Sequence, residues 1–144
     1  MSDQSYGVRS SVAQLKRVAV RRPLTGGADV VAQYEKAHWQ TPDLAALAEQ
    51  HAGFVATLRG LGAVVGEFGP VDGLPDAVFT YDPAFVIPSG TVEFQAAKAA
   101  RVGEGARLVA DLESVGVPTI GRLVGDATAD AGDMFWLDDD TVAI

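Results

Sequence analysis

The 144-residue sequence contains no cysteine, which excludes disulfides, Cys-ligated zinc, iron–sulfur clusters and a thiol nucleophile within these residues. Basic residues are scarce, with 11 Lys and Arg against 19 Asp and Glu and a formal net charge of -8. General affinity for nucleic acid is therefore not expected. No apolar run is long enough to cross a bilayer, and the N-terminus lacks a secretory signal. We expect a cytoplasmic protein that binds neither nucleic acid nor membrane.

The sequence does contain an alternation of strand-like and helix-like segments, and 48% of its residues are hydrophobic. We expect a single α/β domain over 1–144, and an order of strand, strand, helix, strand recurs around 78–124. The chain stops at Ile144 inside an apolar run, so we expect a truncated sequence. The spacing predicts strands at 15–20, 63–68 and 117–124, helices at 41–60 and about 100–115, and hairpin turns at 88–91 and 138–140.

Several acidic residues lie at the ends of apolar, strand-like segments. They are Asp76, Asp82, and Asp130 with Asp133. Convergent carboxylates beside small residues suit a metal ion or a planar cation such as a guanidinium, which forms paired hydrogen bonds with carboxylates. Asp before Pro and Asp beside Gly are also ordinary turn formers. The spacing alone leaves these alternatives open.

Four segments, taken together and in this order, resemble the N-terminal half of the guanidino-group-modifying superfamily. This superfamily includes dimethylarginine dimethylaminohydrolases, arginine deiminases and amidinotransferases, and the first of these is the most similar. The segments are Leu15–Pro23, Pro75–Pro83, Arg101 with Glu104, and Asp130–Asp133.

The resemblance implies a five-bladed α/β propeller, or pentein, built from ββαβ modules, of which 1–144 would form the N-terminal half. It implies that Asp82 and Asp130 clamp the guanidinium nitrogens, with Asp130 in the catalytic role. Asp76 would lie in the substrate pocket, and Arg101 would pair with the substrate carboxylate. A Cys thiolate would attack the guanidinium carbon, giving citrulline and an amine or ammonia without a metal or other cofactor.

Two positions depart from the family pattern: Tyr81 replaces a glutamate, and Ala131 replaces a glycine. The family's Cys and general-acid His belong to its C-terminal half, and we assign His38 and His51 to packing. The 144-residue stretch alone is therefore expected to be inactive. The expected partner is a small cationic guanidino compound, and a homo-oligomer is possible. An amidinotransferase and a non-catalytic propeller scaffold are the alternative functions.

Overall fold

The computed structural model describes residues 6–144. The chain forms two compact units. One unit, here called the first unit, is Leu15–Thr80, and the second unit combines residues 6–14 with Tyr81–Ile144.

The first unit is built on two parallel strands joined by helices. Strands β1 and β2 pair from Arg17 with Val64 to Arg21 with Phe68. Because parallel strands need a long crossover, the chain between them has room for two helices. Its elements are β1 (Arg17–Arg21), α1 (Val30–Lys36), α2 (Leu44–Gly60), β2 (Val64–Phe68) and a 3-10 helix at Pro75–Val78. Helix α1 lies in the part of the sequence for which no helix was predicted.

Helix α2 begins at an aspartate cap. The side chain of Asp43 accepts hydrogen bonds from the backbone N–H groups of Ala45 and Ala46, both at 3.0 Å, and so satisfies donors that have no partner within the helix. The helix was predicted to begin at residue 41, whereas the structure begins it at Leu44. Of the apolar side chains that recur at spacings of three and four along α2, Val55 is buried and Leu44, Leu47 and Leu58 are half-buried, whereas Phe54 is 53% exposed.

Strand β1 ends on a buried arginine, although consecutive arginines at a strand end are more typical of a solvated edge. Arg21 is 1% exposed, donates from Nη1 to the carbonyl of Gly69 at 2.8 Å, and lies 5.6 Å from the ring centre of Phe68. These contacts lie at the end of β2 and just after it, so a part of the chain distant in sequence buries the charge. Arg22, the next residue, is exposed.

The second unit contains one complete ββαβ module. Strands β3 (Ala84–Ile87) and β4 (Gly90–Glu93) form the predicted hairpin, and α3 (Glu104–Ser114) returns the chain to β5 (Thr119–Arg122), which pairs parallel to β4. The predicted strand, strand, helix, strand order is therefore confirmed for 84–122. A second predicted hairpin follows as β6 (Phe135–Trp136) and β7 (Val142–Ala143).

The core of this unit is aromatic. The rings of Phe85 and Phe94 stack with centroids 6.4 Å apart, and Phe85 stacks on Trp136 at 5.7 Å. Ala131 is completely buried in the same cluster. Helix α3 starts at Glu104 instead of near residue 100, and Val115, the last residue of the predicted helix, lies just after Ser114 and is 60% exposed.

The structure has an α/β fold with three small sheets, ordered β1-β2, β3-β4-β5 and β6-β7. None of these sheets closes on itself within residues 6–144. In that same range, no helix combines the length and the apolar character needed to cross a membrane.

Candidate functional site

Asp82 is positioned by backbone hydrogen bonds on both sides of the β3–β4 hairpin. Its carbonyl accepts from the N–H of Ala131 at 3.0 Å, and the carbonyl of the next residue, Pro83, accepts from Phe94 at 3.0 Å. The first of these bonds brings the segment that contains Asp130 next to Asp82. Two motifs almost fifty residues apart in sequence therefore meet in the second unit.

Arg101 lies between the carboxylates of this unit. Its Nη1 is 3.1 Å from Asp82 Oδ2 and 3.8 Å from Asp130 Oδ1. Its Nε donates to Glu104 Oε2 at 2.9 Å. The guanidinium side chain is only 11% exposed, so its contacts with carboxylates are partly shielded from water and correspondingly strong.

Glu104 is the most deeply buried member of this group, at 2% exposure. Gly103 precedes it with φ 101°, a conformation that favours glycine. Gly105 follows, and a Cβ there would overlap the carbonyl oxygen of Phe94. The two glycines therefore let the first turn of α3 lie directly against the end of β4, which places the Glu104 carboxylate at Arg101.

Burial and the neighbouring carboxylates shift the pKa of Arg101 in opposite directions. Burial lowers its pKa, but hydrogen bonds and charge from Glu104, and then from Asp82, outweigh this, and the pKa is raised. Arg101 is therefore a permanent cation. Three acidic side chains, Asp82, Glu104 and Asp130, surround this one arginine, so the formal charge of the cluster is negative.

Asp130 is the most exposed carboxylate of the group, with 41% of its side chain accessible. Its Oδ1 atom is itself buried and has no hydrogen-bond partner among the described residues. The 3-10 helix Ala131–Asp133 follows directly. Its Gly132 is tightly placed, since a Cβ there would lie 3.2 Å from Asp82 Oδ1. The glycine allows the carboxylate and the backbone to approach closely.

The two departures from the family pattern have different surroundings. Tyr81 is 56% exposed, so the residue that replaces a glutamate faces solvent in this structure. Ala131 is fully buried in the aromatic core, and its N–H bonds to the carbonyl of Asp82. The alanine methyl group is therefore accommodated as part of the core.

Asp76 belongs to the first unit and is buried, with 4% exposure. It lies in a 3-10 helix instead of the predicted strand-like segment. Its Oδ1 accepts a hydrogen bond from Trp39 Nε1 at 2.5 Å. Trp39 follows His38, which has φ 68°, and its ring lies 5.3 Å from that of Tyr34. The hydrogen bond from Trp39 to Asp76 joins residues 37 apart in sequence and was not predicted.

The hydroxyl of Tyr34 donates to the carbonyl of Leu24 at 2.9 Å, and burial raises its pKa. The side chain is 1% exposed. The Tyr34 side chain is therefore neutral and held in a fixed position where its ring packs against that of Trp39.

Three of the four residues predicted for the site, Asp82, Arg101 and Asp130, come together in the second unit, while Asp76 lies in the first. Glu104 was missed as a site residue, although its spacing of three from Arg101 and its flanking glycines were visible in the sequence. Over residues 6–144, no cluster of three or more His, Asp or Glu side chains is arranged to hold a metal ion. The arrangement is that of carboxylates around a guanidinium.

Neither a protein-family model nor a curated protein matches the sequence. Solved structures do match. Dimethylarginine dimethylaminohydrolase from Pseudomonas aeruginosa, a Cys-to-Ser variant complexed with citrulline, is 23% identical with a TM-score of 0.68, covering 85% of this chain and 47% of that one.

Two arginine-binding structures are equally similar. The N-terminal domain of ArgZ, an arginine dihydrolase of the ornithine-ammonia cycle in cyanobacteria, was solved as a Cys-to-Ser variant bound to substrate. It is 24% identical with a TM-score of 0.67 and covers 82% of this chain and 44% of that one. AgrE with L-arginine is 23% identical with a TM-score of 0.68, covering 85% and 18%.

The chain spans about half the length of the dimethylarginine dimethylaminohydrolase structures that it matches. At these identities the likeness concerns the fold. The chain has the α/β fold seen in part of the dimethylarginine dimethylaminohydrolase and arginine dihydrolase structures.

Proposed function

We propose that this sequence forms the N-terminal half of a hydrolase that acts on the guanidinium carbon of arginine or a methylated arginine. The observation that supports this most directly is that Asp82 and Asp130 converge on one guanidinium group, that of Arg101, at 3.1 and 3.8 Å. Carboxylates so placed suit the binding of a planar cation. The fold likeness to proteins solved with arginine and citrulline supports the same substrate class.

In this proposal Asp82 and Asp130 hold the guanidinium nitrogens of the substrate, and Asp130 takes part in catalysis. Asp76 contributes to substrate binding, and Arg101 binds the substrate carboxylate. The negative charge left after Arg101 is paired favours a cationic ligand. It also keeps the substrate guanidinium protonated, and a protonated guanidinium has the more electrophilic carbon.

The nucleophile must come from outside these 144 residues, because the sequence has no cysteine. A Cys thiolate would add to the guanidinium carbon, and the amine or ammonia would leave with a proton supplied by a His. Water would then attack the thiouronium carbon, releasing citrulline and restoring the thiol. The sequence alone is expected to give no turnover.

The topology supports a propeller of repeated modules. The second unit has a complete ββαβ module and a ββ hairpin, and the first unit has a βαβ segment whose parallel strands correspond to the last two strands of that module. We infer that both units belong to one domain, half of a five-bladed propeller, and that other polypeptide supplies the remaining modules. The free edges of β1 and β7 would then be joined by further strands.

The experiment is a product assay on the intact protein that contains this sequence, supplied with L-arginine and with methylated arginines. We expect citrulline with stoichiometric ammonia or alkylamine. Transfer of the amidino group to an added amine in place of water would indicate an amidinotransferase. Absence of any reaction and of any arginine binding would indicate a non-catalytic scaffold and would contradict the proposal.

A further inference from the structure

Glu104 is a buried carboxylate that the proposed reaction does not use. Its side chain is 1% exposed and lies 2.8 Å from Arg101 Nη2, and Arg101 Nε donates to the same oxygen at 2.9 Å. Two nitrogens of one guanidinium thus approach one oxygen of a carboxylate that water does not reach. Such a contact fixes the plane of the arginine.

The rest of the arginine points the other way. Nη1 is directed at Asp82 Oδ2, 3.1 Å away, and Asp130 Oδ1 lies at 3.8 Å. Asp82 is confined on its opposite side, because its Oδ1 lies over Gly132, where even a methyl group would be 3.2 Å away. The orientation of Asp82 therefore depends on Arg101, and that of Arg101 depends on Glu104.

We propose that Glu104 is a positioning residue that sets the orientation of Arg101, and through Arg101 that of Asp82, for the binding of a guanidino substrate. This inference rests on the proposed function for its consequence, but the positioning itself is a property of this chain. In this inference Glu104 does not contact the substrate, and its effect on substrate binding passes through Arg101.

The first test is spectroscopic and needs no ligand. The Nε–Hε signal of Arg101 in the intact protein, assigned by its loss in Arg101→Lys, should exchange with solvent much more slowly than that of the exposed Arg9. Glu104→Gln, which keeps the shape and removes the charge, should shift the signal and abolish its protection. Glu113→Gln, on the exposed part of the same helix, should change neither.

The second test measures L-arginine affinity. Glu104→Gln should weaken binding by about tenfold or more, as expected for the loss of a hydrogen bond between charged groups, while Glu104→Asp should recover part of the loss. In an Arg101→Lys background, Glu104→Gln should have little further effect, because the residue through which it acts is already changed.

The outcomes separate the two proposals. If the unmodified protein binds no arginine, the proposed function fails and the exchange measurement still decides the role of Glu104. If a folded Glu104→Gln protein binds arginine normally and keeps the Arg101 signal protected, the inference is overturned and the proposed function stands. If Glu104→Gln does not fold, Glu104→Asp decides: unchanged protection and affinity would overturn the inference.

Discussion

Asp82 and Asp76 lie six residues apart, yet the protein treats the two carboxylates differently. Asp82 is 28% exposed on its side chain and is paired with a charged guanidinium. Asp76 is 4% exposed and accepts a hydrogen bond from the neutral indole of Trp39. Exposure therefore separates the two carboxylates, and the donors differ as well: a guanidinium donates to Asp82, and an indole N–H is among the groups that contact Asp76.

Removal of the Arg101 guanidinium should cause the largest loss of stability. Arg101→Ala takes away the charged partner that buried Glu104 shares with Asp82, and breaking such a pair costs about 3–5 kcal/mol. Urea unfolding of the intact protein measures the loss, with the exposed Arg122→Ala as the matched control.

A few millimolar guanidinium ion, which has the shape of the missing group, should raise the urea midpoint of Arg101→Ala in a saturable manner, whereas an equal concentration of sodium chloride should not. A loss no larger than that of Arg122→Ala would contradict the pairing.

Removal of the indole N–H of Trp39 should cause a smaller loss of stability. Trp39→Phe keeps an aromatic ring near Tyr34 but deletes the N–H that Asp76 accepts, a hydrogen bond to a charged group worth about 1.5–3 kcal/mol. Trp136→Phe is the matched control, because the indole N–H of Trp136 is buried without a hydrogen-bond partner in residues 6–144. The difference in unfolding free energy between the two variants reports the bond to Asp76. Equal losses would show that Trp39 acts through packing alone.

A third carboxylate, that of Asp138, is exposed, and removal of its charge should cause the smallest loss of stability. This loss should depend on pH. Asp138 Oδ1 accepts from the N–H of Asp140 at 2.9 Å in the β6–β7 turn, and this hydrogen bond, with further ones to Thr141, lowers the pKa of Asp138. A lowered pKa means that ionised Asp138 stabilises the folded state at neutral pH and that this contribution disappears as the pH falls through the lowered value.

Asp138→Asn should therefore lower the urea midpoint slightly at pH near neutral, and this deficit should shrink as the pH falls below the ordinary carboxyl range towards the lowered pKa of Asp138. Asp139→Asn, a neighbour in the same turn, is the control and should have no such pH-dependent difference. A deficit in Asp138→Asn that persists in acid would indicate that the carboxylate charge is not the cause.

Local signals predicted much of the fold. The β3–β4 hairpin is encoded by Pro88-Ser89-Gly90 at its turn, and the β6–β7 hairpin by its three consecutive aspartates, because turn preferences act over only a few residues. The ββαβ order around these turns was visible for the same reason. The start of α2 was predicted within a few residues, although the structure assigns its cap to Asp43.

Features that depend on distant contacts were not predictable. Two consecutive arginines, as at positions 21 and 22, are typical of a solvated strand end. Arg21 is nevertheless buried, and its hydrogen-bond acceptor, the carbonyl of Gly69, is 48 residues away in sequence. Asp76 and Trp39, 37 residues apart, meet only when α1 and the 3-10 helix are in place, and the sequence did not indicate α1. The residues of the acidic site were identified through family resemblance, whereas the dependence of Arg101 on Glu104 required the packing of Gly105 against β4.

The most direct test of the central claim is the kcat/KM for citrulline formation from L-arginine by the intact protein carrying Asp82→Asn or Asp130→Asn. The exposed Asp126→Asn, in the segment that leads to Asp130, is the matched control. We expect a loss of at least about a hundredfold for each site variant, as for removal of a charged group that binds the reacting cation, and no change for Asp126→Asn. Activity of folded Asp82→Asn and Asp130→Asn equal to that of the control would contradict it.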